Sequence, residues 1–374
     1  MSLVYAVFLI VYRLTGFKQR APLLPNPYKK LNEVLEKGLS NVADERVPSG
    51  PPPEFMIHAG DQIYFDFPFP QRAPTEAAYR LAYKEAWFED DQFRRFLSQC
   101  PQYMTLDDHE IVDGFATDGV VPKGRDPYEY LEPATQAYRE YVNSRHPTAD
   151  DSLFYKFDHG TTRFFVMDTR TQRSDHSGEM IDPKQMCRFK EWLITYKDDL
   201  KFVVSSVAFV AEVKSKKNAN RKRDERDDKW SGRPFRAQRE EIIEFLHENR
   251  IERVVFLVGD MHCCYHASMR IGWPHDRTTV HELAGGPIYQ LQFGSRDEFL
   301  DEHRGVLGAD GKLPVRTSLQ QFHGAASGVL YVNVRPEPSP EVRWQVVRTS
   351  PDLKETFKPR PLSGRIRFEE HHHS

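Results

Sequence analysis

Cysteine is scarce in this chain of 374 residues and is not spaced for pairing or metal binding. The four cysteines, Cys100, Cys187, Cys263 and Cys264, form no C-x-x-C motif, and two of them are adjacent. Neither a disulfide framework nor a cysteine-type zinc site is therefore indicated. This use of cysteine favours a reducing compartment.

The sequence also lacks a strong excess of charge of either sign. It has 52 Lys and Arg against 55 Asp and Glu, so the formal net charge of −3 indicates neither nucleic acid nor an anionic membrane as a partner. An apolar stretch from Leu3 to Tyr12 has no basic residue before it and no small-residue cleavage site after it. We interpret it as a buried strand and not as an export signal, and we expect a cytoplasmic protein that is not bound to a membrane.

Predicted helices and strands alternate along the chain. A helix is predicted over residues 75–100 and another over 133–146, and helical patterns also follow Pro27, Pro183 and Phe235. Apolar strands include FMIHAGD, QYMTLDDHE, KFVVSSVAFV and RVVFLVGDMH, and the C-terminal part is rich in further strands. This order predicts an α/β fold with mixed sheets in one domain over residues 1–374, with a charged insertion at 214–228.

Acidic residues follow three of the predicted strands at the point where each strand ends. The three groups are Gly60-Asp61 with Tyr64, Asp107-Asp108-His109-Glu110, and Gly259-Asp260 with His262. Each group has a simpler explanation, since Gly-Asp is common in turns and DDHE could begin a helix. Because ligands bind at the carboxyl ends of strands in open α/β sheets, we expect the three groups to share one site.

Carboxylates that converge on one buried site repel one another and are costly to desolvate. Bound metal ions remove both penalties. A ligand set of Asp, His and Tyr is hard and mostly oxygen, which suits Mn, Fe(III), Ca or a mixed pair better than a thiolate zinc site. Cys263 and Cys264 are expected to face opposite sides of a strand and not to act as ligands.

Five motifs in this order resemble those of PhoD-like alkaline phosphatases and phosphodiesterases, a family of the calcineurin-like metallophosphatase superfamily. They are IHAGDQIYFD, TLDDHEIVDGF, FFVMDTRTQR, DDKWSGRPFRAQREEIIEFL and FLVGDMHCCYHA. The match covers about residues 55 to 345. It implies a four-layer α/β/β/α sandwich with two mixed sheets, and hydrolysis of phosphate monoesters or diesters by hydroxide held between two metal ions.

The resemblance also implies roles for individual residues. Asp61 corresponds to the carboxylate that bridges both metals, and Tyr64 to a phenolate ligand. His109 corresponds to the histidine that protonates the leaving oxygen. The implied metal ligands are Asp61, Tyr64, Asp108, Asp260 and His262, and the implied cofactors are Fe³⁺ with Ca²⁺, or Mn²⁺ and Zn²⁺.

Three further residues are predicted to contact a small phosphoester substrate. Arg170 and Arg173 are candidates to bind phosphate with their planar forks, although an arginine after a strand is often a surface ion pair instead. Trp230 follows the charged insertion, which could form a lid over the site.

The chain departs from the family pattern in two places. Where relatives carry a Ser-Cys-Arg element with a metal ligand, this sequence reads LIVYRLTG, with Tyr12 in that region. Asp113 stands where many relatives have an asparagine after the DDHE motif. A catalytically degenerate member that binds a phosphorylated ligand or a partner is therefore an alternative function.

The basic run KSKKNANRKR suggests a further alternative, a nuclease that binds nucleic acid through this patch. The acidic run that follows it cancels much of its charge. We favour a solvated loop and expect nucleic acid not to be a partner.

Overall fold

The computed structural model describes most of the chain in separate stretches. These are residues 5–10, 27–38, 50–66, 72–88, 90–119, 121–146, 152–214, 228–272, 278–288, 295–307, 311–324, 328–336, 339–348 and 363–368. Tyr12 and nearly all of the predicted insertion lie outside the described residues, where only Lys214 and Asp228 of 214–228 are included. None of the helices in the described stretches is long and apolar enough to cross a membrane.

The described elements confirm an α/β chain. The helices are α1 Pro27–Lys37, α2 Glu76–Phe88, α3 Asp91–Ser98, α4 Tyr128–Tyr141, α5 Pro183–Thr195 and α6 Arg236–Glu248. The strands of the first sheet are β1 Tyr5–Ile10, β2 Phe55–Ala59, β3 Gln102–Thr105, β12 Gly328–Arg335, β13 Glu341–Arg348 and β14 Ser363–Arg367. Those of the second are β4 Tyr155–His159, β5 Thr162–Val166, β6 Lys201–Ser205, β7 Val254–Val258, β8 Cys264–Ile271, β9 Thr278–Ala284, β10 Glu302–Leu307 and β11 Leu313–His323.

Both sheets are mixed, as the sequence predicts. The first has the order β14-β13-β12-β1-β2-β3, in which β1, β2 and β3 are parallel and the remaining pairs are antiparallel. The second has the order β10-β11-β8-β9-β7-β6-β5-β4, with a parallel centre made by β5, β6, β7 and β9. The predicted N-terminal strand is confirmed as β1, which pairs with both β2 and β12.

Three apolar cores hold these elements together. One core combines side chains of both sheets, for example Ile57 of β2, Phe202 of β6 and Trp344 of β13. A second is built from α1 to α4 and strands of the first sheet, and a third from α5, α6 and strands of the second sheet. Strands that are covered on both faces are buried at every position, as β2, β6 and β7 are.

The long helix predicted over residues 75–100 is wrong in one respect, because the structure divides it into α2 and α3. Asp90 has an extended backbone (φ −115°) and caps α3, where its side chain accepts hydrogen bonds from the amides of Gln92 at 2.9 Å and Phe93 at 3.3 Å. An aspartate that caps a new helix competes with continuation of the previous one.

Two other predicted boundaries also shift. The helix predicted to begin at Pro133 starts at Tyr128, so that Pro133 lies inside α4. The strand KFVVSSVAFV stops at Ser205, since the hydroxyl of Ser205 donates to the carbonyl of Val207 at 2.7 Å. The chain then leaves the sheet, and the amides of Phe209 and Val210 donate to the buried carboxylate of Glu282.

Candidate metal and catalytic site

The carboxyl ends of the parallel strands place the predicted acidic groups at two sheet edges. Asp61 and Asp107 follow β2 and β3 in the first sheet, and Asp260 follows β7 in the second. The two edges are directly joined, since the hydroxyl of Thr105 donates to the carbonyl of Met167 at 2.6 Å. The sequence prediction of a site shared by both sheets therefore has a structural basis.

Gly60 allows the loops after β2, β3 and β6 to meet. Its backbone has φ +96°, and a Cβ atom at this position would lie 2.4 Å from Cβ of Asp107 and 3.3 Å from Cβ of Ser206. A side chain would therefore require both a strained backbone and separation of the loops. Glycine at this position brings Asp61 against Asp107.

Glu110 fixes the two loops of the first sheet by accepting backbone hydrogen bonds. Its buried carboxylate accepts from the amides of Asp61 at 3.0 Å, Ile63 at 3.3 Å and Asp107 at 2.7 Å, and also from the amide of Gln62. Burial raises the pKa of Glu110 to about 7, although these amides favour the ionised form. Glu110 therefore positions the acidic residues and has no oxygen directed to a ligand.

Three carboxylates come together where these loops meet. Asp61, Asp107 and Asp108 each offer an oxygen within 4.8 Å of the others, and their exposed fractions are 2%, 0% and 5%. Burial raises the pKa of Asp61 and of Asp107 well above the usual range, and neighbouring carboxylates add to this effect. The cluster needs positive charge to remain ionised.

Two buried oxygens of this cluster show where that charge would bind. Oδ1 of Asp61 and Oδ2 of Asp107 have no hydrogen-bond donor within the part of the chain that the structure describes. Buried carboxylate oxygens without donors are unusual, and hard metal ions bind such oxygens. The donor set therefore fits a metal ion. Asp108 can also form a second grouping of this kind with His109 and Asp113.

Backbone conformation independently distinguishes the predicted ligands. Among the described residues, five non-glycine residues have positive φ, and three of these are Asp61 at 59°, Asp260 at 61° and His262 at 51°. Such conformations are unfavourable for residues with a side chain and cluster at functional sites. Three of the five predicted ligands therefore have the left-handed backbone conformation that is uncommon for residues with a side chain.

Tyr64 and His109 lie side by side against this cluster. The hydroxyl of Tyr64 donates to Oδ2 of Asp61 at 2.7 Å, and the two rings stack with centroids 4.2 Å apart. Burial and the charge of Asp61 raise the pKa of Tyr64 well above its usual range, so it is a phenol in this arrangement. The hydroxyl is nevertheless close enough to Asp61 that a metal ion bound by Asp61 would be within its reach.

Asp66 orients the imidazole of His109. Its Oδ1 lies 2.7 Å from Nδ1 of His109, and its Oδ2 accepts from the amide of Asp113 at 2.7 Å. Although burial opposes protonation, the carboxylates of Asp108 and Asp66 raise the pKa of His109 well above its usual range. The predicted proton donor is therefore held by its Nδ1 edge, in its charged form.

The two arginines predicted to bind phosphate are completely buried in ion pairs. Nε of Arg170 donates to Asp107, and its terminal nitrogens lie 2.9 and 3.2 Å from the carboxylate of Asp228. Arg173 pairs with Asp228 and lies 3.3 Å from Asp175. Their contacts are ion pairs, but buried ones and not the surface ion pairs of the alternative, and a direct role for either in binding phosphate stays a prediction.

The third predicted group lies beside the cluster and is paired with a lysine. Asp260 forms an ion pair with Lys229, whose ammonium is also 3.2 Å from Asp228. The charge of Asp260 contributes to the raised pKa of Asp107, and burial lowers the pKa of His262. The carboxylate groupings with metal-ligand spacing in the described stretches include neither Asp260 nor His262.

Trp230 belongs to the apolar core on the α5 and α6 side of the second sheet. It is 0% exposed, and its indole nitrogen donates to the hydroxyl of Ser205 at 3.3 Å. The ring is therefore fully buried, and a contact between Trp230 and a substrate stays a prediction. Cys264 begins β8 and Cys263 comes directly before it, and the two lie in different apolar cores, as predicted for adjacent residues.

Several site residues were not identified from the sequence. Asp107 and Glu110 belong to the DDHE motif, but the sequence alone did not show which carboxylates of the motif join the acidic cluster and which one holds the loops. Asp66 lies five residues after Asp61 in the same loop, and Asp228 and Lys229 precede Trp230 in the DDKW motif. Each lies inside one of the five family motifs, so its proximity in sequence to a predicted site residue was the signal that could have identified it.

Comparison with known proteins adds three findings. A family model described as PhoD-like phosphatase matches residues 35–337. Alkaline phosphatase D of Bacillus subtilis (strain 168) is 27% identical over 194 residues, which are 46% of this chain and 32% of that protein. The chain thus spans about a third of the length of this curated relative. A solved structure described as "Structure of PhoD" has a TM-score of 0.64 and 17% identity, and covers 97% of this chain and 69% of its own. This likeness concerns the fold.

We predict that Glu110→Gln lowers the free energy of unfolding by about 2 to 4 kcal/mol and removes bound metal, although Glu110 is not a ligand. The new amide group would face backbone amides that need an acceptor. Glu282→Gln is the matched control, because Glu282 also accepts from three backbone amides, those of Phe209, Val210 and Ala211. Urea denaturation and elemental analysis should show that both variants lose stability and only Glu110→Gln loses metal.

Proposed function

The chain belongs to the PhoD-like phosphatase family, and from this membership we propose that it is a metal-dependent hydrolase of small phosphoric esters. The observation that carries the proposal is the buried cluster of Asp61, Asp107 and Asp108, with two oxygens that lack a donor among the described residues. Elemental analysis of the purified protein, combined with a panel of phosphate monoesters and diesters, tests it.

We assign metal binding to the predicted ligands Asp61, Tyr64, Asp108, Asp260 and His262 and add Asp107 to them. Asp61 would bridge two ions, because among the described residues one of its oxygens lacks a donor and the other accepts from Tyr64. Fe³⁺ with Ca²⁺, or Mn²⁺ and Zn²⁺, suit these oxygen and nitrogen donors. When bound, such ions supply positive charge for the phosphoryl oxygens and make water more acidic.

His109 is assigned the role of proton donor to the leaving alkoxide. Asp66 holds Nδ1, which leaves Nε2 as the edge that can face a substrate. Stacking on Tyr64 restricts the ring to one plane. The charged imidazole is therefore positioned before the substrate arrives, which reduces reorganisation during proton transfer.

Arg170 contributes to this function by holding Asp107. Its guanidinium contacts Asp107 and Asp228 from a fully buried position and lies 4.0 Å from Asp108. Its charge is one reason why the pKa of Asp108 is lowered despite burial. Asp108 is thereby kept ionised and ready to bind a cation.

The three apolar cores support the four-layer α/β/β/α arrangement that the family resemblance implies. Side chains of β2 and β6 share the core between the sheets, while the other two cores contain helices. In this arrangement the site lies at one edge of the inner pair of layers.

A catalytically degenerate protein that binds a phosphorylated ligand or partner is the second candidate. The ion pair between Lys229 and Asp260 favours it, because an ammonium group there neutralises a predicted metal ligand without an ion. The proton donor His109 and its partner Asp66 favour turnover. The second candidate would be supported if the protein binds phosphoesters, contains no metal after incubation with metal ions, and hydrolyses none of the phosphoesters in the panel.

Asp61→Asn should remove both metal ions, since a carboxylate that bridges them serves each one. Asp168→Asn is the control, because Asp168 is also buried after a strand but its oxygens accept from Arg170 and Thr171. Elemental analysis and calorimetric titration with Mn²⁺ would show the difference. A fully metal-loaded and active Asp61→Asn variant would contradict the assignment.

His109→Ala should lower turnover by about two to four orders of magnitude and leave metal content intact. The loss should be smaller for nitrophenyl esters, because nitrophenolate leaves without a proton. Asp66→Asn should give the same dependence on the leaving group with a smaller loss. Equal losses for alkyl and nitrophenyl esters would show that His109 positions phosphate and does not donate a proton.

Tyr64→Phe tests whether Tyr64 is a phenolate ligand of Fe³⁺. Because the pKa of Tyr64 is raised, only a strongly charged ion can ionise it, and the resulting iron phenolate has a visible charge-transfer band. The protein as isolated should be coloured, and Tyr64→Phe should lose the colour and part of the activity. Tyr83→Phe, another buried tyrosine, should keep both. An iron-loaded protein without this band would assign Tyr64 only its hydrogen bond to Asp61.

A further inference from the structure

Four arginines surround one glutamate on the last three strands of the first sheet, at the opposite end of that sheet from β2 and β3. They are Arg335 of β12, Arg343 of β13, and Arg365 and Arg367 of β14, and the glutamate is Glu341. The strand register explains the grouping. Glu341 lies opposite both Arg335 and Arg367, and Arg343 lies opposite Arg365. We refer to these four arginines as the arginine cluster.

The cluster lies on the face of the sheet that is turned away from the core between the sheets. Val342, Trp344 and Ile366 belong to that core, and residues alternate between the two faces of a strand. The arginine side chains are exposed by 41 to 69%, whereas that of Glu341 is exposed by 4%. The guanidinium groups therefore meet solvent above a buried carboxylate.

Glu341 neutralises only part of this charge. Within this group of five described side chains there is an excess of three positive charges. Arg343 and Arg367 donate to Glu341 through Nε, while the closest nitrogens of Arg365 and Arg335 are 3.4 and 3.8 Å away. Nε of Arg335 is buried and has no acceptor among the described residues. What the cluster presents to solvent is therefore its unbalanced positive charge.

The size of the cluster indicates the size of its ligand. Three neighbouring strands span about 10 Å, and two successive positions on one face of a strand span about 7 Å. Four guanidinium groups that approach from three strands suit an anion whose oxygens point in several directions better than they suit a planar carboxylate. A polymer would need a longer row of charges.

We propose that the arginine cluster around Glu341 is a binding site for inorganic phosphate, separate from the candidate metal site. The proposal does not depend on the proposed hydrolase activity, because none of its residues is among the metal ligands or contacts His109. A phosphate ion would bind the exposed guanidinium groups and compensate the excess charge.

The alternative is that the arginines only protect the edge of the sheet. β14 is an edge strand, and exposed charges on edge strands prevent pairing with other chains. In that case anions would screen the arginines according to ionic strength alone, with no saturation and no preference for phosphate over chloride. A measurement confined to these strands separates the two explanations.

Hydrogen–deuterium exchange of the whole protein gives that local measurement. Phosphate is titrated at constant ionic strength, with chloride as the balancing anion, and exchange is followed in β13 and β14. Because amides of edge strands exchange by local opening, a bound phosphate should slow them in a saturable manner. Exchange that stays unchanged, or that responds equally to chloride, would overturn the proposal.

Substitutions assign the effect to the cluster. The double variant Arg343→Gln and Arg367→Gln should weaken phosphate binding at least tenfold. Arg188→Gln should not change it, since Arg188 is similarly exposed but pairs one to one with Glu191. Protection that persists in the double variant would place phosphate elsewhere. The effect should also survive in Asp61→Asn, whose failure to bind metal concerns the other site.

Glu341→Gln gives the most specific test. Removing the internal carboxylate leaves four guanidinium groups without their anion, so phosphate should bind about tenfold more tightly. If the arginines merely protect the edge, this variant should lose stability in β14 without any gain in phosphate binding. Unchanged or weaker binding in Glu341→Gln would therefore contradict the proposal.

Discussion

Asp107 connects the two sheets at the point where the candidate site lies. It is completely buried, and its Oδ1 accepts from Arg170 and, at 2.8 Å, from the hydroxyl of Ser206, both of which belong to loops of the second sheet. Its own amide donates to Glu110 in the first sheet. Since each of these contacts is buried, a shift of either sheet edge would leave a charged group without its partner. Together with the hydrogen bond between Thr105 and Met167, this carboxylate fixes the relative position of the two halves of the site.

Cations near the second sheet explain part of how the site tolerates so much negative charge. Arg170 and Arg173 meet at Asp228, and Lys229 lies between Asp228 and Asp260, so cations compensate the side of the cluster near the second sheet. No lysine or arginine in the described part of the chain pairs with Asp61, whose charge is offset by His109 alone and whose Oδ1 lacks a donor among the same residues. A metal ion would therefore contribute most at the first sheet.

Sequence patterns predicted the acidic strand ends because that feature depends only on the order of residues within one short segment. An apolar strand followed by Gly-Asp or Asp-Asp is visible in one segment, and parallel neighbours place such ends together. The burial of Arg170 and the pairing of Lys229 with Asp260 depend on which loops of two sheets meet, which no single segment contains. The break before α3 was missed for the opposite reason, since the helical period continues through Asp90 while its side chain caps the next helix.

Two buried glutamates show how loops without regular structure can hold ligands in strained conformations. Glu110 gathers the amides around Asp61, and Glu282 gathers those of residues 209–211 after β6. A carboxylate that accepts several amides replaces the hydrogen bonds that a strand would have provided. Asp61 can then keep its positive φ, because its own amide is held by Glu110 and its carboxylate is free to turn toward Asp107. The strain at Asp61 is thus balanced by Glu110, which contacts the ligand residues only through their backbone amides, so substitutions at Glu110 should affect the site as strongly as substitutions within it.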